Sequence, residues 1–204
     1  MKIETTLVAG FIPAILAMRN PLDSWDRSDS YISPLNALTI EQFVLGNKDK
    51  ELSQKLSKAG TEHRKHLRQI DVWANITLPR YVWQEFDTYK YVDKISCSTM
   101  HTLMKKEISQ SNFEMDIPDD LIKYLNTLIE AYKFASDPDY KRLVKVNVKT
   151  CLPEGFLQMR SIKTNYECLL KMHFERQNHE LKIWHEIDDW ILHLPYFKEL
   201  TGIE

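Results

Sequence analysis

The hydrophobic pattern is clearest between Leu157 and His193, where it predicts a strand running straight into two consecutive helices. Behind Thr164, the residues Tyr166, Leu169, Leu170, His173 and Phe174 recur at helical spacing on one face. Thr164, with Glu167 three places on, predicts an N-cap and a capping box. The polar run Glu175 to His179 interrupts the pattern. Leu181, Trp184, Ile187 or Asp188, and Ile191 then begin a second helical face. Asn165 and Arg176 stand eleven residues apart (176 − 165), about three turns of helix, so they lie near one line with one at each end. The plain reading of that pair is a helix start and a solvated C-terminal charge that favours the dipole.

Upstream, Ile3 to Ala9 predicts a strand, Gly10 a turn, and Pro13 the first turn of a helix that ends at Asn20-Pro21. The polar loop Asp23 to Ser30 carries Trp25, either tucked onto the core or presenting a ring that stacks on a ligand. A helix from about Thr39 or Asp49 runs to Ala59 and closes at Gly60. From His66 to Asn75 the alternation predicts a strand with one polar or mixed face. Pro79 opens a helix with the aromatic face Val82, Trp83, Phe86 and Tyr89. After Ile117-Pro118, a broad apolar face from Leu121 to Phe134 predicts a well-buried helix. Asp137-Pro138-Asp139 is a turn. Tyr140 to Val148 is a basic helix or turn with Lys141, Arg142 and Lys145, and Lys149 follows it. These cations read as a solvated face, with a phosphate contact as the sharper alternative.

Composition narrows the class. The 204 residues are 43% hydrophobic and 27% charged, with net charge −2, which suits one soluble domain over residues 1–204 with a full core. The near-neutral balance argues against a surface that binds DNA through phosphates. Cys97, Cys151 and Cys168 are odd in number and widely spaced, so they read as reduced thiols of a cytoplasmic protein. The apolar run Leu7 to Met18 contains Pro13 and is too short to span a bilayer, so no membrane association is expected. No Gly-rich phosphate loop and no Gly-x-Ser-x-Gly elbow is present. His179-Glu180 and His185-Glu186 repeat at six residues (185 − 179), which is not the zinc-protease spacing, so no metal site is expected. Cys168 is either a small core residue or a nucleophile on its helix.

The order strand, Asn, apolar helix, Arg, short break and Trp-containing helix resembles the C-terminal segment of flavin-dependent thymidylate synthases. That family runs Asn-Ala-Arg-Ser, an apolar run ending Leu-Arg, and Gln-Trp-Glu-Ile. Here the positions hold Asn165-Tyr166-Glu167-Cys168, Leu169 to Arg176, and Ile183-Trp184-His185-Glu186-Ile187. Upstream, Glu62-His63, the alternating strand and Pro79-Arg80 follow the family's order, with Arg80 on its Ser-Arg-Ala arginine. The family's Arg-His-Arg triplet falls on Thr88-Tyr89-Lys90. Its later Ser-x-Arg-Tyr falls on Ser98-Thr99-Met100-His101. In the family this signature helps bind flavin and the nucleotide phosphate, and neither Thr nor Met can hold a phosphate bidentately.

The resemblance implies an α+β domain with the flavin-dependent thymidylate synthase-like fold, a mixed sheet packed with long helices, assembled as a homotetramer. It places Arg80, Gln84, Tyr89, Lys90, Ser98, Asn165 and Arg176 at the ligand. The departures imply a protein that binds or sequesters a nucleotide or nucleotide-like molecule without the synthase reaction and without a tightly held cofactor. The alternative is an active enzyme that uses FAD to transfer a methyl or hydroxymethyl group to a pyrimidine deoxynucleotide. A third class is an interaction or structural protein with no small ligand. Whether the chain is an enzyme stays open at this point, and no catalytic residue is assigned.

Overall fold

The computed structural model describes residues 1–33 and 43–203, so the Thr39 start considered for the second helix lies outside it. In chain order the elements are β1 (Lys2–Ala9), α1 (Phe11–Arg19), β2 (Tyr31–Ile32), β3 (Phe43–Val44), α2 (Asn47–Lys58), β4 (Asp71–Pro79), α3 (Arg80–Phe86), β5 (Asp93–Ser96), α4 (Thr99–Thr102), α5 (Asp119–Phe134), α6 (Pro138–Cys151), β6 (Leu157–Asn165), α7 (Tyr166–Arg176), α8 (Lys182–Leu192) and α9 (Phe197–Thr201). The fold class is α+β. Four strands form one sheet in the order β1-β4-β6-β5, and β2 pairs with β3 in a small second sheet. The main sheet is antiparallel, and this replaces the mixed sheet expected from the resemblance. Tyr166 N donates to Ile70 O at 3.0 Å and Arg80 N to Phe156 O at 3.1 Å, so β4 and β6 run in opposite directions. No described helix is long and apolar enough to cross a membrane.

The chain divides into two compact units. One comprises Met1–Glu4, Asn75–Lys90 and Lys94–Ser161; the other comprises Thr5–Ala74, Tyr91–Asp93 and Ile162–Glu204.

In the first unit, α5 and α6 pack on each other. Leu125 and Ile129 from α5 meet Val144 and Val148 from α6 over Leu103, Ile108 and Phe113. Asp137 caps α6 by accepting from Asp139 N at 3.1 Å, ahead of Pro138 in the first turn. The broad face predicted for α5 is less buried than expected. Only Leu125 and Ile129 are fully covered, Tyr124 is half exposed and Phe134 is 86% exposed.

In the second unit, α1 starts at Phe11, two residues before Pro13. Gly10 makes the turn with φ of +100°, and a Cβ there would lie 2.0 Å from the Gln69 carbonyl oxygen. Glycine is therefore needed for both backbone conformation and space. The strand predicted from His66 begins later. Arg64–Gln69 form a 3-10 helix, and β4 starts at Asp71. Leu67 and Ile70, three apart and fully buried, suit the 3-10 repeat as well as a strand's alternation. Within β4, Val72, Ala74, Ile76 and Leu78 then alternate into the core.

A buried ion pair fixes the loop after α1. Asp49 on α2 takes the Arg19 guanidinium at 2.6 Å, the Ser28 hydroxyl at 2.8 Å, and the backbone N–H groups of Asp29 at 3.0 Å and Ser30 at 2.9 Å. Burial pushes the Asp49 carboxyl up, but hydrogen bonds from Ser30, Ser28 and Arg19 outweigh it and hold the group below its ordinary range. Trp25, in this loop, is half exposed and donates from its indole N–H to Asn20 Oδ1 at 2.8 Å.

The segment from β6 to α8 follows the sequence pattern, with two corrections. Asn165, not Thr164, caps α7, accepting from Cys168 N at 3.0 Å. The Thr164 hydroxyl donates instead to Tyr91 O at 3.0 Å, so no capping box forms there. Tyr166, Leu169, Leu170 and His173 are buried as predicted, but Phe174 is half exposed and Cys168 and Met172 take places in the core. On α8, Ile183, Trp184, Ile187 and Ile191 are buried.

Candidate functional site

The first unit holds five of the residues singled out from sequence. Pro79, extended at φ −59° and ψ 151°, ends β4 and opens α3, which sets Arg80 at the helix start and Gln84 one turn on. Both side chains converge on one carboxylate. Arg80 Nη2 lies 3.1 Å from Glu154 Oε1, and Gln84 Nε2 donates to Glu154 Oε2 at 3.1 Å. Arg80 Nη1 also donates to Leu152 O at 3.3 Å. This group therefore has a built-in anion, partly exposed, that an external anion would have to displace. Tyr89 is only 4% exposed and packs edge-on against Phe86, so its ring belongs to the core. Lys90 is exposed. Ser98 accepts at its carbonyl from His101 N, Thr102 N and the Thr102 hydroxyl, and so shapes α4.

Sequence reasoning passed over a second cation nearby in this unit. The Arg160 guanidinium lies 4.5 Å from the centre of the Trp83 ring and donates to both Asp87 oxygens at 3.0 and 3.1 Å. Lys94 joins the same carboxylate at 3.1 Å. The Trp83 ring is itself fixed by its N–H to Gln158 O at 2.8 Å. The sequence carried no signal for this pair, because Arg160 on β6 and Trp83 on α3 meet only through the fold.

The second unit holds Asn165 and Arg176, the two ends of α7. The Asn165 side chain is occupied by its cap bond. Arg176 is half-buried, and its guanidinium stacks 4.6 Å from the Trp184 ring centre. His179 lies edge-on to the same ring at 6.0 Å, and its carbonyl is 2.6 Å from His185 Nε2. Helices α7 and α8 are also tied by His173 Nδ1 to Asp188 Oδ1 at 2.7 Å.

Glu167, in the first turn of α7, is buried and paired with Arg64 at 3.4 Å and Arg68 at 3.9 Å. Cys168 beside it is buried. Burial pushes its thiol up, so it stays protonated and unsuited to attack. No group of three or more His, Cys, Asp or Glu side chains is placed to hold a metal ion among the described residues.

Comparison with solved structures places the fold. The chain is similar to the flavin-dependent thymidylate synthase of Helicobacter pylori solved with FAD and dUMP, with a TM-score of 0.71 over 98% of this chain and 97% of that one, at 16% identity. A second structure, thymidylate synthase X from Helicobacter pylori with FAD and dUMP, gives a TM-score of 0.70 at the same identity and coverage. No family model and no curated protein matches the chain. At this identity the likeness establishes the thymidylate synthase-like fold.

Proposed function

We propose that this protein binds a nucleotide-like anion on a thymidylate synthase-like fold and does not carry out the synthase reaction. Arg176 is the anionic anchor in this reading. Its stack on Trp184 is the observation that carries it, because stacking holds the guanidinium plane and lowers the ordering cost of a bidentate phosphate contact. Asn165 supports the same helix as its cap; in the first unit, taken by itself, Arg80 and Gln84 offer an anion contact that Glu154 competes for. In that same unit Lys90 offers an exposed charge and Ser98 a hydroxyl, while the Tyr89 ring is buried and offers no face to a ligand.

The residues present do not fit a retained flavin. Thr88 and Met100 offer no cation where the resemblance calls for guanidinium groups. Glu167 puts a buried carboxylate where the Asn-Ala-Arg-Ser pattern has arginine, and Arg64 and Arg68 are held by it. Each missing charged contact costs about 1.5–3 kcal/mol, roughly ten- to a hundredfold in affinity. The protein purified without added cofactor is therefore expected to show no flavin absorbance and no turnover of deoxyuridylate with a folate donor. Stoichiometric flavin in the purified protein would overturn this part of the reading. We further propose a homotetramer, in keeping with the resemblance.

A further inference from the structure

The first unit contains a cavity of about 300 Å³ whose floor is apolar and whose rim is basic. Leu103, Ile108 and Phe156 line it, with Leu103 and Ile108 buried, and Cys97, Lys105 and Lys106 stand around them. Glu107 also lines it, so the rim carries two ammonium groups against one carboxylate, a net of +1 (2 − 1). We propose that this cavity binds a small apolar carboxylate, distinct from the nucleotide-like anion proposed above. None of Arg80, Gln84, Lys90, Ser98, Asn165 or Arg176 lines it.

The walls are held in place before any ligand arrives. Asn126 clamps the Ile108 backbone from both sides, accepting from its N–H at 2.8 Å and donating to its carbonyl at 2.9 Å. Asn112 accepts from Ser109 N at 2.9 Å, and Gln158 donates to the Cys97 carbonyl at 2.9 Å. Phe156 is set by edge-on packing against Phe113 at 5.7 Å between ring centres. A preformed apolar hollow with a few fixed polar groups is the usual form of a small-molecule site, and preorganisation reduces the entropy lost on binding. At ~30 Å³ per water-sized group, the space holds about ten such groups, the size of a small aromatic acid. The net positive rim selects an anionic head over a neutral one.

The probe is 1-naphthoate, titrated by calorimetry and by protein NMR, with 1-naphthalenemethanol as the neutral control. Saturable 1:1 binding is expected with Kd on the order of 0.1–1 mM, and weaker binding of the alcohol. Lys105 and Lys106 are exposed, so Lys105→Glu/Lys106→Glu is expected to keep the fold, checked by its thermal melt, and to weaken naphthoate about tenfold. Saturating naphthoate is expected to slow iodoacetamide labelling of exposed Cys97 while leaving the partly buried Cys151 unchanged as internal reference. No saturation, equal affinity for acid and alcohol, an unaltered Kd in the double variant, or unprotected Cys97 would each overturn the assignment. These outcomes are independent of the nucleotide reading, because they use neither nucleotide nor Arg176.

Discussion

Acidification is expected to destabilise the second unit through His66. This imidazole is 4% exposed and its Nε2 lies 2.8 Å from the Ser53 hydroxyl. Ser53 spends its own proton on Leu200 O at 2.7 Å, so it must accept from His66, and the neutral ring carries its hydrogen on Nε2. His66 Nδ1 is then a buried lone pair with no side-chain hydrogen-bond partner among the described residues. Protonation there would bury a cation, and burial accordingly pulls the His66 pKa down to about 4. The unfolded chain, at about 6.5, binds the proton first, so stability is full above that value and falls as pH drops toward the folded value. The loss is about 2 kcal/mol by pH 5 and about 3 kcal/mol by pH 4, relative to pH 8. The assay is urea unfolding at a series of pH values for the wild type and His66→Gln, whose amide N–H can still reach Ser53 but does not titrate. The variant is expected to lose this slope across about pH 4 to 6.5. Parallel pH profiles for the two proteins would refute the reasoning.

Three further outcomes follow from named contacts. Asp49→Ala strips the partner from Arg19, which is 4% exposed, and is expected to cost about 3–5 kcal/mol in denaturant unfolding; a loss under about 1 kcal/mol would show that water reaches the pair. Gly10→Ala places a methyl 2.0 Å from Gln69 O at a positive φ, and is expected to lower stability by more than about 2 kcal/mol, read by thermal melting. Light scattering at micromolar concentration is expected to return the mass of four 24.1 kDa chains, and a monomer would remove the tetramer from the proposal.

The β6–α7–α8 segment was legible because its period changes sharply, and a strand leading into two one-faced helices has few other solutions. Its cap was not, since Thr164 and Asn165 are both good caps and the choice depends on Tyr91, whose carbonyl draws the Thr164 hydroxyl away. The apolar face of α5 was legible, but whether anything covers Phe134 and Tyr124 is a tertiary matter that periodicity does not carry. The Asp49 cluster was invisible for a related reason. Its partners lie 19 to 30 residues away, and Asp23 to Ser30 reads simply as a polar loop. At the candidate site, Arg176 was singled out by the family resemblance, whereas its stack on Trp184 needed the packing of α8 against α7. The carboxylate of Glu154 on Arg80 and Gln84 likewise joins positions 70 or more residues apart.

The central claim, an anionic ligand held by Arg176, is tested most directly by calorimetric titration of mono-, di- and cyclic nucleotides into the wild type and Arg176→Ala. The account predicts that at least one nucleotide binds the wild type and that the substitution weakens it by about 2–4 kcal/mol. Absence of binding by the wild type across the panel, or an Arg176→Ala protein that loses stability but not affinity, would contradict it.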